Sequence, residues 1–328
     1  MAKVYYDADA SLEPLDGKTI AVVGYGNQGR AQALNLRDSG LEVIVGNLED
    51  EYAAQARADG FSPLSIEGAV RRAGVVLFLI PDEVQPEVYE RSIARSLDPG
   101  DVLCFAHGYN VAFEHIRPKR DLDVVMVAPR MIGAGVRDKF VAGDGFPSLV
   151  GVHQDASGDA HRCMLAIARG IGSTRSGCLE VSFRDEATLD LFTEQAFGPA
   201  MGAAMRAAME TLVEAGFPPE AVLLELYLSG ELAYSLGKAA ELGMVKQWEL
   251  HSHTSQYGSM TRSARFAELD LKSRMQGVLE EIRSGAFARE WQAEQKAGLP
   301  VFKQAKEMMK YHPMVEWEEK AKKAFRKI

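Results

Sequence analysis

Asp190 and Glu194 stand four residues apart in the stretch Ala187-Thr-Leu-Asp-Leu-Phe-Thr-Glu-Gln195. On a helix that spacing puts both carboxylates on one face, one turn apart. Leu189, Leu191 and Phe192 surround them, so the helix is expected to be largely buried. A buried pair of like charges needs a cation or hydrogen-bond donors to neutralise it. Oxygen-only ligands on a rigid element suit Mg²⁺, which takes few protein carboxylates and keeps positions free for water or substrate. By itself the pair fits a solvated acidic helix face better, so its meaning depends on the elements around it.

A second chemical signal lies near the start of the chain. Thr19-Ile-Ala-Val-Val-Gly24 is a short β-branched run of the kind buried in parallel sheets. It leads into Gly24-Tyr-Gly26-Asn-Gln-Gly29, an Ala/Leu-rich helix to about Asp38, and a second strand, Glu42-Val-Ile-Val-Gly46. This is the strand, glycine loop, helix and strand order in which a dinucleotide pyrophosphate sits on a helix N-terminus. Tyr25, Gly26, Asn27 and Gln28 are therefore cofactor-binding candidates. After the second strand come Asn47, Glu49 and Asp50, and no Arg or Lys occurs in that loop. A carboxylate there accepts ribose hydroxyls and repels a 2′-phosphate, which favours NADH over NADPH. The same acids would also suit the start of the next helix.

Three further strands are expected: Val75–Ile80, Val102–Ala106 and Val124–Ala128. They end in Pro81-Asp82, His107-Gly108 and Pro129-Arg130. Open α/β sheets bind ligands beyond these carboxyl ends. Pro81, Asp82 and His107, with Gly133 just beyond the last strand, complete the cofactor-binding set, and His107 and Arg130 are catalytic candidates.

The chain has 328 residues, which suits two domains rather than one core. Its net charge of −9 argues against a nucleic-acid or anionic-membrane partner. No apolar run approaches the roughly 20 residues of a membrane span, and the start lacks a signal-peptide core. Cys104, Cys163 and Cys178 lack metal-like spacing and read as reduced, mostly buried thiols of a cytoplasmic protein. Strand-like alternation continues to about residue 182, and long apolar helices follow. The expected architecture is α/β: a Rossmann-type doubly wound parallel sheet over residues 1–182, then an all-helical domain over 183–328. Within the helical part, Glu231 falls in a continuous helical pattern from Leu223 to Leu242. His251-Ser252-His253 reads as a polar helix start or loop rather than a metal site.

In order along the chain, Val4-Tyr-Tyr-Asp7, Gly24-Tyr-Gly-Asn-Gln-Gly29, Pro81-Asp-Glu83, Phe105-Ala-His-Gly-Tyr-Asn110, His153-Gln-Asp-Ala-Ser-Gly158, Asp190-Leu-Phe-Thr-Glu-Gln195 and Glu210-Thr-Leu-Val-Glu-Ala-Gly216 resemble ketol-acid reductoisomerase, in its short form. The resemblance covers nearly the whole chain. It implies a knotted helical domain in at least a homodimer, NAD(P)H and two Mg²⁺ ions. The implied reaction converts a 2-hydroxy-3-keto acid such as 2-acetolactate into a 2,3-dihydroxy acid, by alkyl migration and hydride reduction, in branched-chain amino-acid synthesis. Asp190 would bridge the ions, Glu194 would bind one, and Glu231 of the partner subunit would complete the metal and catalytic set. Ser252 would contact the substrate carboxylate, and His107 would relay protons.

Three departures cluster at the chemistry. Arg130 stands where the family usually has lysine, and Tyr227 stands at the first of two partner-helix glutamates. His253-Thr-Ser-Gln256 replaces Asn-Thr-Ala-Glu. Arginine cannot give up a proton, and a phenol is a poor Mg²⁺ ligand, so the second ion is expected to be weakened. Two further readings follow: a homologue that reduces another 2-keto or hydroxy-keto acid without isomerisation, and a non-enzymatic dinucleotide-binding protein.

Overall fold

The computed structural model describes residues 3–325. The chain divides into two compact units, Met1–Asp190 and Leu191–Ile328. The division falls later than the change of texture near 182, because the helix Phe183–Phe192 begins packed on the first unit, with Phe183 and Ala187 buried.

The first unit is built on one eight-stranded sheet: β1 (Val4–Tyr5), β2 (Ile20–Val23), β3 (Val43–Gly46), β4 (Val75–Phe78), β5 (Val102–Phe105), β6 (Asp123–Pro129), β7 (Ser148–Gln154) and β8 (Cys178–Glu180), in the order β1-β8-β7-β6-β5-β4-β2-β3. From β3 to β6 every pairing is parallel. Successive residues of these strands feed opposite cores. Val22, Leu77, Cys104 and Val125 pack on one face, and Ala21, Val76, Leu103 and Val124 on the other. That is why the strands read as unbroken apolar runs.

The Rossmann-type sheet is mixed rather than wholly parallel. β7 runs antiparallel to β6, and β1 antiparallel to β8. After β6 the helix Gly133–Ala142 packs beside the helix Asn27–Asp38 and does not cross the sheet. The chain therefore re-enters at the end it left, where the Arg130 N–H donates to the Pro147 carbonyl at 3.0 Å. At the far edge, Tyr5 donates its hydroxyl to Glu180 at 2.5 Å, which explains the polar and aromatic start of the chain. Asp123, buried at the foot of β6, accepts from the Ala156 and Ser157 N–H groups at 2.8 and 2.9 Å. It thereby anchors the Asp155–Gly158 stretch. The strand order reverses at β2, which lies between β3 and β4. The switch point that binds ligands in such sheets is therefore above the glycine loop.

The second unit is helical throughout its described residues. It opens with a π-helical turn, Thr193–Phe197, that runs into the helix Gly198–Glu214. The continuous helix expected over Leu223–Leu242 is broken. A π-helical turn, Leu224–Leu228, is followed by Gly230 at φ +80°, and a new helix begins at Glu231. Met209, Val222, Leu223 and Ala321 form a small buried cluster, whereas Leu236, Val245, Leu250, Met260 and Met309 are exposed. No helix among the described residues is long and apolar enough to cross a membrane.

Candidate active site

The glycine loop is held from several sides. Gly26 caps the helix Asn27–Asp38, and the N–H of Tyr25 donates to Asn47 Oδ1 at 3.2 Å. The Tyr25 ring is buried, and its hydroxyl donates to Asp59 at 3.0 Å, so only its backbone faces the loop's concavity. Gln28 donates to the Met131 carbonyl at 2.9 Å, tying the loop to the segment after β6. A Cβ on Gly133 would stand 2.0 Å from the Asn27 carbonyl oxygen; the glycine there lets the helix Gly133–Ala142 close on the loop.

Beyond β3, Asn47 donates to Asp50, which caps the helix Glu51–Ala58 through the Tyr52 and Ala53 N–H groups. Glu49 meets Arg57 at 2.8 and 2.5 Å. Asp50 is thus occupied as a cap. The loop itself holds no basic residue, but the following helix brings an arginine to it. A cavity of about 440 Å³ opens here between Asn47, Glu49, Leu64 and Ile66.

Three strands along from β3, the strand ends converge. His107 follows β5, and its Nδ1 lies 2.6 Å from Asp82 Oδ2, which follows β4 beside Pro81. Asn110 donates to the Asp82 carbonyl and to Gln85, both at 2.9 Å, fixing that turn. His107 Nε2 is buried, makes no hydrogen bond among the described residues, and stands 3.5 Å from Asp190 Oδ2. Burial alone would lower the His107 pKa. The hydrogen bond and charge of Asp82, with the charges of Glu186 and Asp190, outweigh it and push the value up to about 9.

Arg130, at the end of β6, forks between two carboxylates. It donates to Glu186 Oε1 at 3.2 Å and, in a very short contact, to Asp190 Oδ1. Glu186 was not anticipated from the sequence. It lies one turn before Asp190 on the helix Phe183–Phe192, is 1% exposed, and accepts the Gly108 N–H at 2.7 Å. Burial raises its pKa against the pulls of His107, Gly108 and Arg130. The i,i+4 spacing that drew attention to Asp190 and Glu194 also connects Asp190 to Glu186. An acid in the first turn of a helix is so common that it gave no separate signal.

One ligand atom each from His107, Glu186 and Asp190 lies within 4.8 Å of the others. This set of two carboxylates and an imidazole can surround one hard divalent ion. Glu194 belongs to the π-helical turn that opens the second unit. Glu231, exposed, is the first residue of its helix. Tyr227 donates its hydroxyl to Glu318 in a very short contact, and Ser252 caps the helix His253–Ser263 by accepting the Ser255 N–H. Cys104, Cys163 and Cys178 are buried free thiols.

Residues 14–177 match the family model described as acetohydroxy acid isomeroreductase, NADPH-binding domain, and residues 183–327 match ketol-acid reductoisomerase, C-terminal domain. The chain belongs to the ketol-acid reductoisomerase family. It is 45% identical over 317 residues to the ketol-acid reductoisomerase (NADP(+)) of Pyrobaculum neutrophilum, covering 96% of each chain. It is 44% identical over 318 residues to the enzyme of that name from Pyrobaculum aerophilum, again over 96% of each. The structure of an NADH-preferring ketol-acid reductoisomerase from an uncultured archean superposes with a TM-score of 0.94 at 37% identity, covering 98% of this chain and 99% of that one. As a family member the chain is an NAD(P)H-dependent oxidoreductase with a Rossmann-type domain. Arg130, at the end of β6, and Tyr227, in the helical unit, are two of the three departures noted from the sequence.

Proposed function

We propose that this reductoisomerase acts on 2-acetolactate-type 2-hydroxy-3-keto acids, using NADH and Mg²⁺. The observation that carries the reading is the convergence of His107, Glu186 and Asp190 at the strand ends, on the sheet edge that also bears the glycine loop. When bound, the metal polarises the substrate carbonyl and steadies alkoxide charge during alkyl migration, and the nicotinamide gives the hydride. Asp82 orients His107 through Nδ1, leaving Nε2 to hold or pass a proton at the substrate oxygen. Asp190 and Glu194, with Glu231 of the partner subunit, would hold the metal, and Ser252 would receive the substrate carboxylate. The exposed apolar surface of the helical unit supports a homodimer, interlocked as in the family.

NADH is favoured because Glu49 keeps a carboxylate at the ribose position, and its pairing with Arg57 at 2.8 and 2.5 Å offsets that arginine's charge toward a 2′-phosphate. A lower KM for NADPH than for NADH would overturn this.

A second reading, a reductase of 2-keto acids without migration, is favoured by Arg130, whose guanidinium cannot donate a proton at any pH of interest. The test is turnover of 2-acetolactate against a simple 2-keto acid, each with NADH and Mg²⁺. Consumption of 2-acetolactate supports the first reading; consumption of the keto acid alone establishes the second. Asp190→Asn should abolish turnover of either substrate.

A further inference from the structure

We propose that Tyr109 is a positioning residue for the reaction: its ring, laid along the face of His107, stops the imidazole from rocking and so fixes where Nε2 points. This rests on the reading of His107 above.

His107 is held along one edge only. Its Cγ is fixed by the chain, and its Nδ1 meets Asp82 Oδ2 at 2.6 Å. A five-membered ring tied at those two atoms can still rock about the line that joins them. Nε2 is the ring atom opposite that line, so it sweeps the widest arc. It makes no hydrogen bond among the described residues and stands 3.5 Å from Asp190 Oδ2. Asp82 therefore settles which nitrogen faces the chemistry but not the tilt of the ring. Tyr109 supplies that second constraint. Its ring lies 19° from the imidazole plane with the centroids 5.7 Å apart, an offset stack. A flat ring against the face blocks rocking toward it.

Tyr109 is itself held in place. It is 4% exposed, and Phe113 and His115 pack on its ring at centroid distances of 5.2 and 5.4 Å. Arg184 lies over Phe113, 4.5 Å from that ring's centroid. The Tyr109 hydroxyl is buried with no hydrogen bond among the described residues. Ring packing alone places this side chain, and the flat face rather than the polar tip acts on His107. Tyr89 is a matched control. It is buried as fully, beside Asp121, which precedes β6 and so belongs to the other end of the strands from His107.

The experiment measures kcat and KM with NADH, Mg²⁺ and whichever of the two test substrates the unmodified protein consumes, and melts each variant. Tyr109→Phe keeps the ring and should keep turnover. Tyr109→Leu and Tyr109→Met keep apolar volume without the face. Their kcat should fall by about tenfold or more, because small misplacements of a reacting group are costly, while KM for substrate and NADH changes little. The methionine variant covers the case in which leucine does not fold, since its flexible chain fills irregular gaps. Tyr89→Leu should lower the melting temperature and leave kcat unchanged. An unchanged kcat in a folded leucine or methionine variant overturns the proposal, and so does an equal loss of kcat in Tyr89→Leu or a rise in KM alone. A loss in Tyr109→Phe as large as in Tyr109→Leu also overturns it, because the hydroxyl would then carry the effect. His107→Ala tests the underlying reading separately: full turnover there removes His107 from the reaction with Tyr109 untouched.

Discussion

Glu186 is a buried carboxylate whose partners are a guanidinium and a backbone N–H. Glu186→Gln keeps the acceptor for Gly108 but removes the charge that holds Arg130. Turnover should fall by roughly 10²–10³-fold with little loss of fold, the scale seen when one preorganised electrostatic group is removed. NADH oxidation and circular dichroism together check this; unchanged turnover would show that Glu186 is structural. A second residue-scale prediction concerns Asp59, which anchors Tyr25 and Arg30 under the glycine loop. Arg30, and then Tyr25, hold its pKa down from 3.8 to about 2. A depressed carboxylate stabilises the fold above its unfolded pKa and loses that contribution as pH falls through its folded one. Asp59→Asn should therefore cost about 2 kcal/mol at neutral pH, and denaturant titrations should show the gap narrowing as pH drops from about 4 toward 2. His107, Asp82 and Arg130 were legible in the sequence because strand ends in α/β sheets are where ligands bind. Glu186 was not, because its meaning lies in what the fold packs against it.

At the scale of elements, the site depends on how closely the helix Phe183–Phe192 approaches the end of β5. A Cβ on Gly108 would stand 2.4 Å from the Phe183 carbonyl oxygen and 3.0 Å from its Cα. The neighbour is backbone, so it cannot rotate aside. Gly108→Ala should shift the helix, lower stability by about 1–3 kcal/mol, and reduce kcat/KM more than a comparable overpacking elsewhere in the core, because Glu186 and Asp190 ride on that helix. Thermal melts and steady-state kinetics on this variant and a control such as Ala166→Val separate the two effects. Equal kinetic losses would mean that the helix position does not set the chemistry. The parallel strands β2 to β6 were readable as apolar runs. The antiparallel return of β7 was not, because its residues alternate no differently and its direction is set by a connection that stays at one end of the sheet. The break at Gly230 was signalled by the Ser229-Gly230 pair, a turn dipeptide, but the apolar helical pattern on both sides of it masked that signal.

At the scale of the molecule, the described residues of the helical unit bury little. Its core cluster is small, while Val245 at 80% exposure, Met309 at 72% and Leu250 at 61% face outward. Apolar surface on that scale marks an interface. The proposed occupant is a second copy of this chain, whose Glu231 completes the metal set. That arrangement makes a quantitative prediction. Asp190→Asn and Glu231→Gln subunits should each be inactive as homodimers. Co-expressed with different tags and purified as the heterodimer, they combine so that one site carries both changes and the other carries neither. Activity should then return to about half that of the unmodified dimer, because a two-fold assembly has two equivalent sites. If Glu231 served its own chain, each site would carry one change and the heterodimer would be as inactive as its parents. Interlocked domains also predict that mixing the two purified homodimers restores nothing until they are unfolded together.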